Sequence, residues 1–158
     1  ALPSDEAVPD AQEDAALVLC AGGRTELDNA AAATLGQLLS AAGADARLLE
    51  HRSLMPQQLP GLDLARVDAI VIGYLNADAG RRAKYLVRRI RRMGDVKIGV
   101  VFWVQGDGKL DGAEIGADFL VGSLPEAVST LRKLGMVPAA QTAPSPPVQK
   151  ENGTAKRA

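Results

Sequence analysis

Along residues 15–137, short apolar runs alternate with longer segments of helical period, a pattern that predicts a parallel sheet joined by crossover helices. The strands fall at 17–21, 46–49, 69–73, 98–104 and 119–121. Ile70-Val71-Ile72 and Val100-Val101-Phe102-Trp103 are apolar without alternation, as strands covered on both faces must be. Helices fill the gaps. Residues 27–42 are rich in Ala and Leu and stop at Gly43, a natural C′ residue, and residues 81–93 stop at Gly94 in the same way. Ser123 and Glu126 form an S-x-x-E capping box, with Pro125 in the first turn, opening a last helix that runs to Leu134 before Gly135. Pro56 and Pro60 leave room for only a short, broken helix between strands two and three, and the crossover over 106–116 is short and Gly-rich. The expectation is a flavodoxin-like, doubly wound, three-layer α/β/α domain with strand order 2-1-3-4-5. Its ligand crevice lies at the carboxyl ends of strands one and three.

Composition narrows the class. With 158 residues, 47% hydrophobic and 23% charged, the chain suits one globular domain and not two. Residues 1–14 carry Asp5, Glu6, Asp10, Glu13 and Asp14 with two prolines, a solvated acidic linker composition. Residues 138–158 read as a disordered Pro-rich tail, leaving 15–137 as the folded unit. The one cysteine, Cys20, sits in an apolar run as a small buried hydrophobe, and a single cysteine excludes an intrachain disulfide or a thiolate metal site. The apolar stretches at 69–75 and 98–104 fall far short of the roughly 20 residues of a membrane-spanning helix. Because the chain begins Ala-Leu-Pro, without an initiator Met or a signal-peptide layout, it is expected to be a piece of something longer.

Candidate chemistry gathers at the crevice. After strand one, Gly22-Gly23-Arg24-Thr25 allows two readings. In one, the glycines let backbone amides approach an anion at a helix N-terminus with Arg24 assisting; in the other, they make a tight turn with Thr25 as N-cap. Neither the Rossmann G-x-G-x-x-G spacing nor a Walker motif is present. After strand three, Tyr74 and Asn76 either stack on and hydrogen-bond a small molecule or simply pack the rim. After strand four, Trp103 and Gln105 precede Gly106-Asp107-Gly108, with Trp103 read as packing. The only histidine, His51, follows strand two on the far side of the crevice and reads as a surface or satisfied turn residue. Phosphoacceptor receiver chemistry fails, since acids and a lysine are missing from the required strand ends. No nucleophile has a paired base, no metal spacing is present, and no cofactor is expected.

One helix is strongly basic. Arg81, Arg82, Lys84, Arg88, Arg89, Arg91 and Arg92 occupy one arc, while Ala83, Leu86, Val87, Ile90 and Met93 occupy the opposite one. Either this is a solvated outer face, or it contacts anionic lipid, an acidic partner or nucleic acid. The net charge of −1 and the lack of aromatic interleaving beyond Tyr85 put nucleic acid last.

Residues 19–31, the runs Val71-Ile72-Gly73-Tyr74-Leu75 and Gly116-Ala117-Asp118, residues 84–92 and residues 123–128 resemble the soluble C-terminal domain of permeases of the autoinducer-2 exporter type. That resemblance implies a non-enzymatic regulatory or interaction domain on the cytoplasmic face of the inner membrane. Its partners would be the preceding membrane domain of the same chain, an anionic lipid surface, or a second copy. Gly22, Gly23, Arg24, Thr25, Tyr74 and Asn76 would be its ligand rim, and Arg81, Arg82, Lys84, Arg88, Arg89 and Arg92 its anionic-surface contact. The layout is also similar to cobalamin-binding domains, which carry Asp-x-His-x-x-Gly after strand one, Ser-x-Leu after strand three and a glycine pair after strand four. Here no His lies near Gly23, Gly73-Tyr74-Leu75 replaces Ser-x-Leu, and Val104-Gln105 replaces the glycine pair. As a degenerate relative the chain would not bind base-off cobalamin, and the alternative to the transporter domain, which is the main expectation, is a free-standing small-ligand module for an anionic or nucleotide-like ligand.

Overall fold

A computed structural model describes residues 15–76, 79–103 and 112–139. Five parallel strands lie in the order β2-β1-β3-β4-β5: β1 (Leu17–Gly22), β2 (Asp45–Leu49), β3 (Ala69–Tyr74), β4 (Lys97–Phe102) and β5 (Phe119–Val121). The helices are α1 (Glu26–Ala41), α2 (Gly80–Met93), the single turn α3 (Gly112–Ile115) and α4 (Leu124–Lys133). Between β2 and β3 the chain makes two 3-10 turns, His51–Leu54 and Leu59–Gly61, the broken connection that Pro56 and Pro60 impose.

The sheet is the middle layer. Val18, Cys20, Val71, Val101 and Phe119 pack on α1 and α4 through Ala32, Leu35, Leu39, Ala127 and Leu131. On the other face Ile70, Ile72, Tyr74, Ile98 and Phe102 meet Ala83, Leu86, Val87 and Ile90 of α2. Burial on both faces explains the unbroken apolar runs of β3 and β4, and each large side chain so buried contributes about 1.5–3 kcal/mol.

The strand and helix ends differ from the sequence pattern in instructive places. β4 stops at Phe102, with Trp103 already turning away. Gly43 and Gly135 take the left-handed φ expected after helices, at 105° and 79°, but Gly94 is extended at φ −175° and ends α2 without an αL residue. At α4 only half of the expected box forms: the Ser123 hydroxyl accepts from the Glu126 amide, while the Glu126 carboxylate turns to the Gly122 N–H and the Ser123 hydroxyl. The reciprocal box is at α1, where Thr25 Oγ1 accepts from the Asp28 amide and Asp28 accepts from the Thr25 amide. The expectations for residues 1–14, for Val104, Gln105 and Gly106-Asp107-Gly108, and for the tail from residue 140 lie outside the described residues.

Candidate functional site at the β1/β3 rim

The switch point between β2-β1 and β3-β4-β5 opens at the carboxyl ends of β1 and β3. Close backbone approach builds its base. A Cβ on Gly22 would fall 2.2 Å from Asn29 Oδ1, so glycine is what lets the first turns of α1 sit against β1. A Cβ on Gly23 would fall 2.2 Å from Tyr74 Cε1, and the Gly23 amide donates to the Gly73 carbonyl at 2.9 Å.

Asp28, which the sequence pattern did not single out, joins the two rims. Its Oδ2 accepts from the amides of Arg24 and Thr25 at 2.9 and 3.0 Å, and its Oδ1 accepts from the Leu75 amide at 2.8 Å. The side chain is buried, and both its oxygens are engaged, so the carboxylate is a fixed strut and not a free base. A Thr-x-x-Asp spacing after a Gly-Gly turn marks the local half of this role. Leu75, 47 residues away, supplies the other half.

Tyr74 is 1% exposed, with its ring stacked on Phe102 at 5.4 Å between centroids. Its hydroxyl is buried, with no hydrogen-bond partner among the described residues. Burial holds the phenol well above its ordinary pKa; the Arg82 charge pulls it down and Asp28 pushes it up more weakly. The hydroxyl therefore keeps its proton and can act as a donor.

In front of these groups lies a cavity of about 510 Å³, within the size range of small-molecule sites. The β1 side contributes Arg24, Thr25, Leu27 and Asp28 to its wall, and the β3 side Tyr74, Leu75, Asn76 and Ala79. Four of the rim residues read from sequence, Arg24, Thr25, Tyr74 and Asn76, thus meet around one space. Gly22 and Gly23 stand behind it, holding Asn29 and Tyr74 in place. Thr25 Oγ1 accepts from the Asp28 amide in the α1 cap and keeps its O–H as a donor, and Arg24 and Tyr74 line the same space.

His51 sits across α1 from this space. Its amide donates to Asn29 Oδ1 at 2.8 Å, and its Nδ1 lies 3.1 Å from Asn29 Nδ2 and 3.6 Å from Glu26 Oε2. It is a satisfied turn residue that helps pin the start of α1. Among the described residues no three His, Cys, Asp or Glu side chains gather as a metal site, and no helix is long and apolar enough to cross a membrane. Cys20 is buried, and burial pushes its thiol up to about 12.

The basic arc of α2 divides by function. Arg91 is structural: its guanidinium donates to the carbonyls of Val96 and Gly116 at 3.2 and 3.0 Å and to Asp118 at 2.9 Å. Asp118 in turn accepts from the Ile98 amide at 2.8 Å. Arg89 lies over the Tyr85 ring and donates to its hydroxyl. Arg81, Arg82, Lys84, Arg88 and Arg92 are exposed, with no ion pair among the described residues.

No protein-family model matches the chain, and no curated protein matches it in sequence. Solved structures do match its fold. One, a novel cobalamin-binding protein from Desulfitobacterium hafniense DCB-2, superposes with a TM-score of 0.59 at 13% identity, over 77% of this chain and 59% of that one. Another, the Methanosarcina barkeri monomethylamine corrinoid protein, gives 0.58 at 16% identity, over 79% of this chain and 60% of its own. The chain spans about three-fifths of the length of either structure. The likeness establishes a cobalamin-binding-like α/β fold.

Proposed function

We propose that this chain is a small-ligand binding module that keeps the cobalamin-binding-like fold without the corrin and uses the β1/β3 cavity as its site. The observation that carries the reading is Tyr74, a residue of the cavity wall whose buried hydroxyl has no hydrogen-bond partner among the described residues. A polar atom buried without a partner costs about 1–3 kcal/mol, a cost that an acceptor on a bound ligand would repay.

The residues present do not fit a corrinoid. Between Gly22 and Asp28 there is no histidine to ligate cobalt, and His51 is engaged with Asn29 across α1. The space opened by glycines on the α1/α4 face of the sheet is filled by the chain's own rings. A Cβ on Gly73 would meet Trp103 at 2.1 Å, and one on Gly99 would meet Phe119 at 2.1 Å. Binding rather than catalysis is the expected activity, because Asp28 is held by three backbone amides and Tyr74 stays protonated, leaving no general base among the described residues of the rim.

The test is amide chemical-shift mapping with a mixture of small metabolite-like compounds. Perturbations centred on Arg24, Leu75 and Asn76 are expected; perturbations at the amino ends of the strands would place the site elsewhere. Incubation with hydroxocobalamin followed by gel filtration is expected to leave the protein colourless, and co-migration of a red corrinoid would overturn the exclusion.

A second reading, as the cytoplasmic domain of a permease, is favoured by the exposed cations of α2 that have no ion pair among the described residues. Beside an anionic leaflet each such residue gains on the order of 1 kcal/mol. Under this reading the protein sediments with anionic but not neutral vesicles, and does so less at high salt. Equal recovery in the supernatant with both lipids removes it, and salt-sensitive self-association would point to a second copy as the partner.

A further inference from the structure

We infer that the β1/β3 cavity takes a small organic oxyanion, a phosphate monoester or carboxylate on an apolar body, with its charged group between Tyr74, Arg24 and the start of α2. The inference rests on the cavity being the ligand site and adds what the ligand must be. Four independent features converge on it.

The first is the donor set. Tyr74 has a buried hydroxyl with no acceptor among the described residues, and Arg24 lines the same wall. The second is the helix. α2 is 14 residues long and starts at the cavity's edge, where its N-cap, Ala79, has no side chain to offer. The first-turn amides of a helix have no partner within it, and their dipoles favour negative charge. No acidic side chain stands in that first turn. α1, by contrast, is closed by the Thr25 and Asp28 box, so its N-terminus is already satisfied.

The third feature is the field. Arg82, in the first turn of α2, acts on the Tyr74 hydroxyl more strongly than Asp28 does. Among the described residues of the wall the one carboxylate, Asp28, is already compensated by three backbone amides. A negative group in the cavity therefore meets Arg24 in the wall, with the Arg82 charge acting from the first turn of α2, against an acid already held by three backbone amides. The fourth is the remaining wall. Leu27, 69% exposed, with Leu75 and Ala79 gives an apolar side for a ring or chain to lie on, and a volume of about 510 Å³ exceeds what a bare inorganic anion needs.

The experiment uses the isotopically labelled whole chain and four probes: phenyl phosphate, benzoate, inorganic phosphate and benzyl alcohol. Phenyl phosphate or benzoate is expected to shift the amides of Leu75, Gly80, Arg81 and Arg82, with inorganic phosphate weaker and benzyl alcohol weaker still. Which of the two aryl anions binds tighter distinguishes a phosphate from a carboxylate ligand. Tyr74→Phe removes one hydrogen bond to a charged group and is expected to weaken the better anion by on the order of tenfold. Arg82→Gln, at an exposed position, is expected to weaken it severalfold with an otherwise unchanged spectrum. Benzyl alcohol binding at the same amides as tightly as the anions would overturn the oxyanion assignment while leaving the site in place. Unchanged anion affinity in both variants would also overturn it. Shifts confined to other surfaces, or no response to any probe, would remove the site and the assignment together.

Discussion

Tyr74 concentrates the conflict between folding and binding in one side chain. Its ring belongs to the core, stacked on Phe102 and seated on Gly23, yet its hydroxyl is left without a partner among the described residues. Tyr74→Phe keeps the ring and deletes the orphaned group, so the unliganded protein should become more stable by on the order of 1 kcal/mol, read as a higher urea midpoint at unchanged slope. The same change weakens the anion. A residue selected for packing alone would show no such opposition, and loss of stability in the variant would mean that the hydroxyl has a partner in solution. The neighbouring glycines read in sequence as an approach for an anion or as a tight turn, and the structure seats Asn29 and Tyr74 against them instead. Gly23 faces a ring 51 positions further along the chain, and no local rule pairs them.

At the level of elements, α2 shows how one helix holds two kinds of arginine. Spacing puts all of them on one arc, and the hydrophobic face opposite was equally plain from the 3.6-residue period. What spacing does not reveal is that Arg91, on the edge of the arc, binds two carbonyls and Asp118 and so ties the end of α2 to the segments leading into β4 and β5. Arg91→Ala is expected to cost about 1–2 kcal/mol in urea denaturation, through three lost charge-assisted hydrogen bonds. The pair Arg88→Glu and Arg92→Glu should stay within about 0.5 kcal/mol of the parent, because those side chains are exposed and have no ion pair among the described residues. Equal losses in the two experiments would contradict this division. The caps carry the same lesson. Both the Thr25 and Ser123 N-caps were readable from residue type, while the reciprocal half of the box formed only at α1, where Asp28 is held from the far side by Leu75.

For the molecule as a whole, burial of titratable groups sets a direction for its pH dependence. Cys20 is pushed up to about 12 from 9.0, and Tyr74 is pushed above its ordinary value near 10, in both cases chiefly by desolvation. In each case the unfolded chain gives up its proton first. Their contribution to stability is therefore complete below about pH 9 and is lost as the pH rises through the folded-state values, at a slope approaching roughly 1.4 kcal/mol per pH unit for each group. Denaturant midpoints measured from pH 8 upward should fall beyond pH 9, and Cys20→Ala should flatten part of that fall. A midpoint constant to pH 11 would show that these groups are solvated in the folded protein.

Fold class, strand order and the position of the crevice were determined by the sequence itself, because they follow from patterns that act over a few residues. Doubly buried strands are continuously apolar, crossover helices are amphipathic, and glycine or a hydroxyl residue marks where a helix ends or begins. The sequence also determined that Arg24, Thr25, Tyr74 and Asn76 share a rim, once the strand order was in hand. Tertiary structure alone decided what each of them does there. It turned Gly22 and Gly23 into seats for Asn29 and Tyr74, committed Thr25 to a cap, and made Asp28 the link between the two rims. It also buried the hydroxyl of Tyr74, a residue of the cavity wall, without a partner among the described residues. These roles depend on contacts between residues dozens of positions apart. Burial and hydrogen-bond satisfaction are properties of the packed neighbourhood, which the order of residues along the chain does not express.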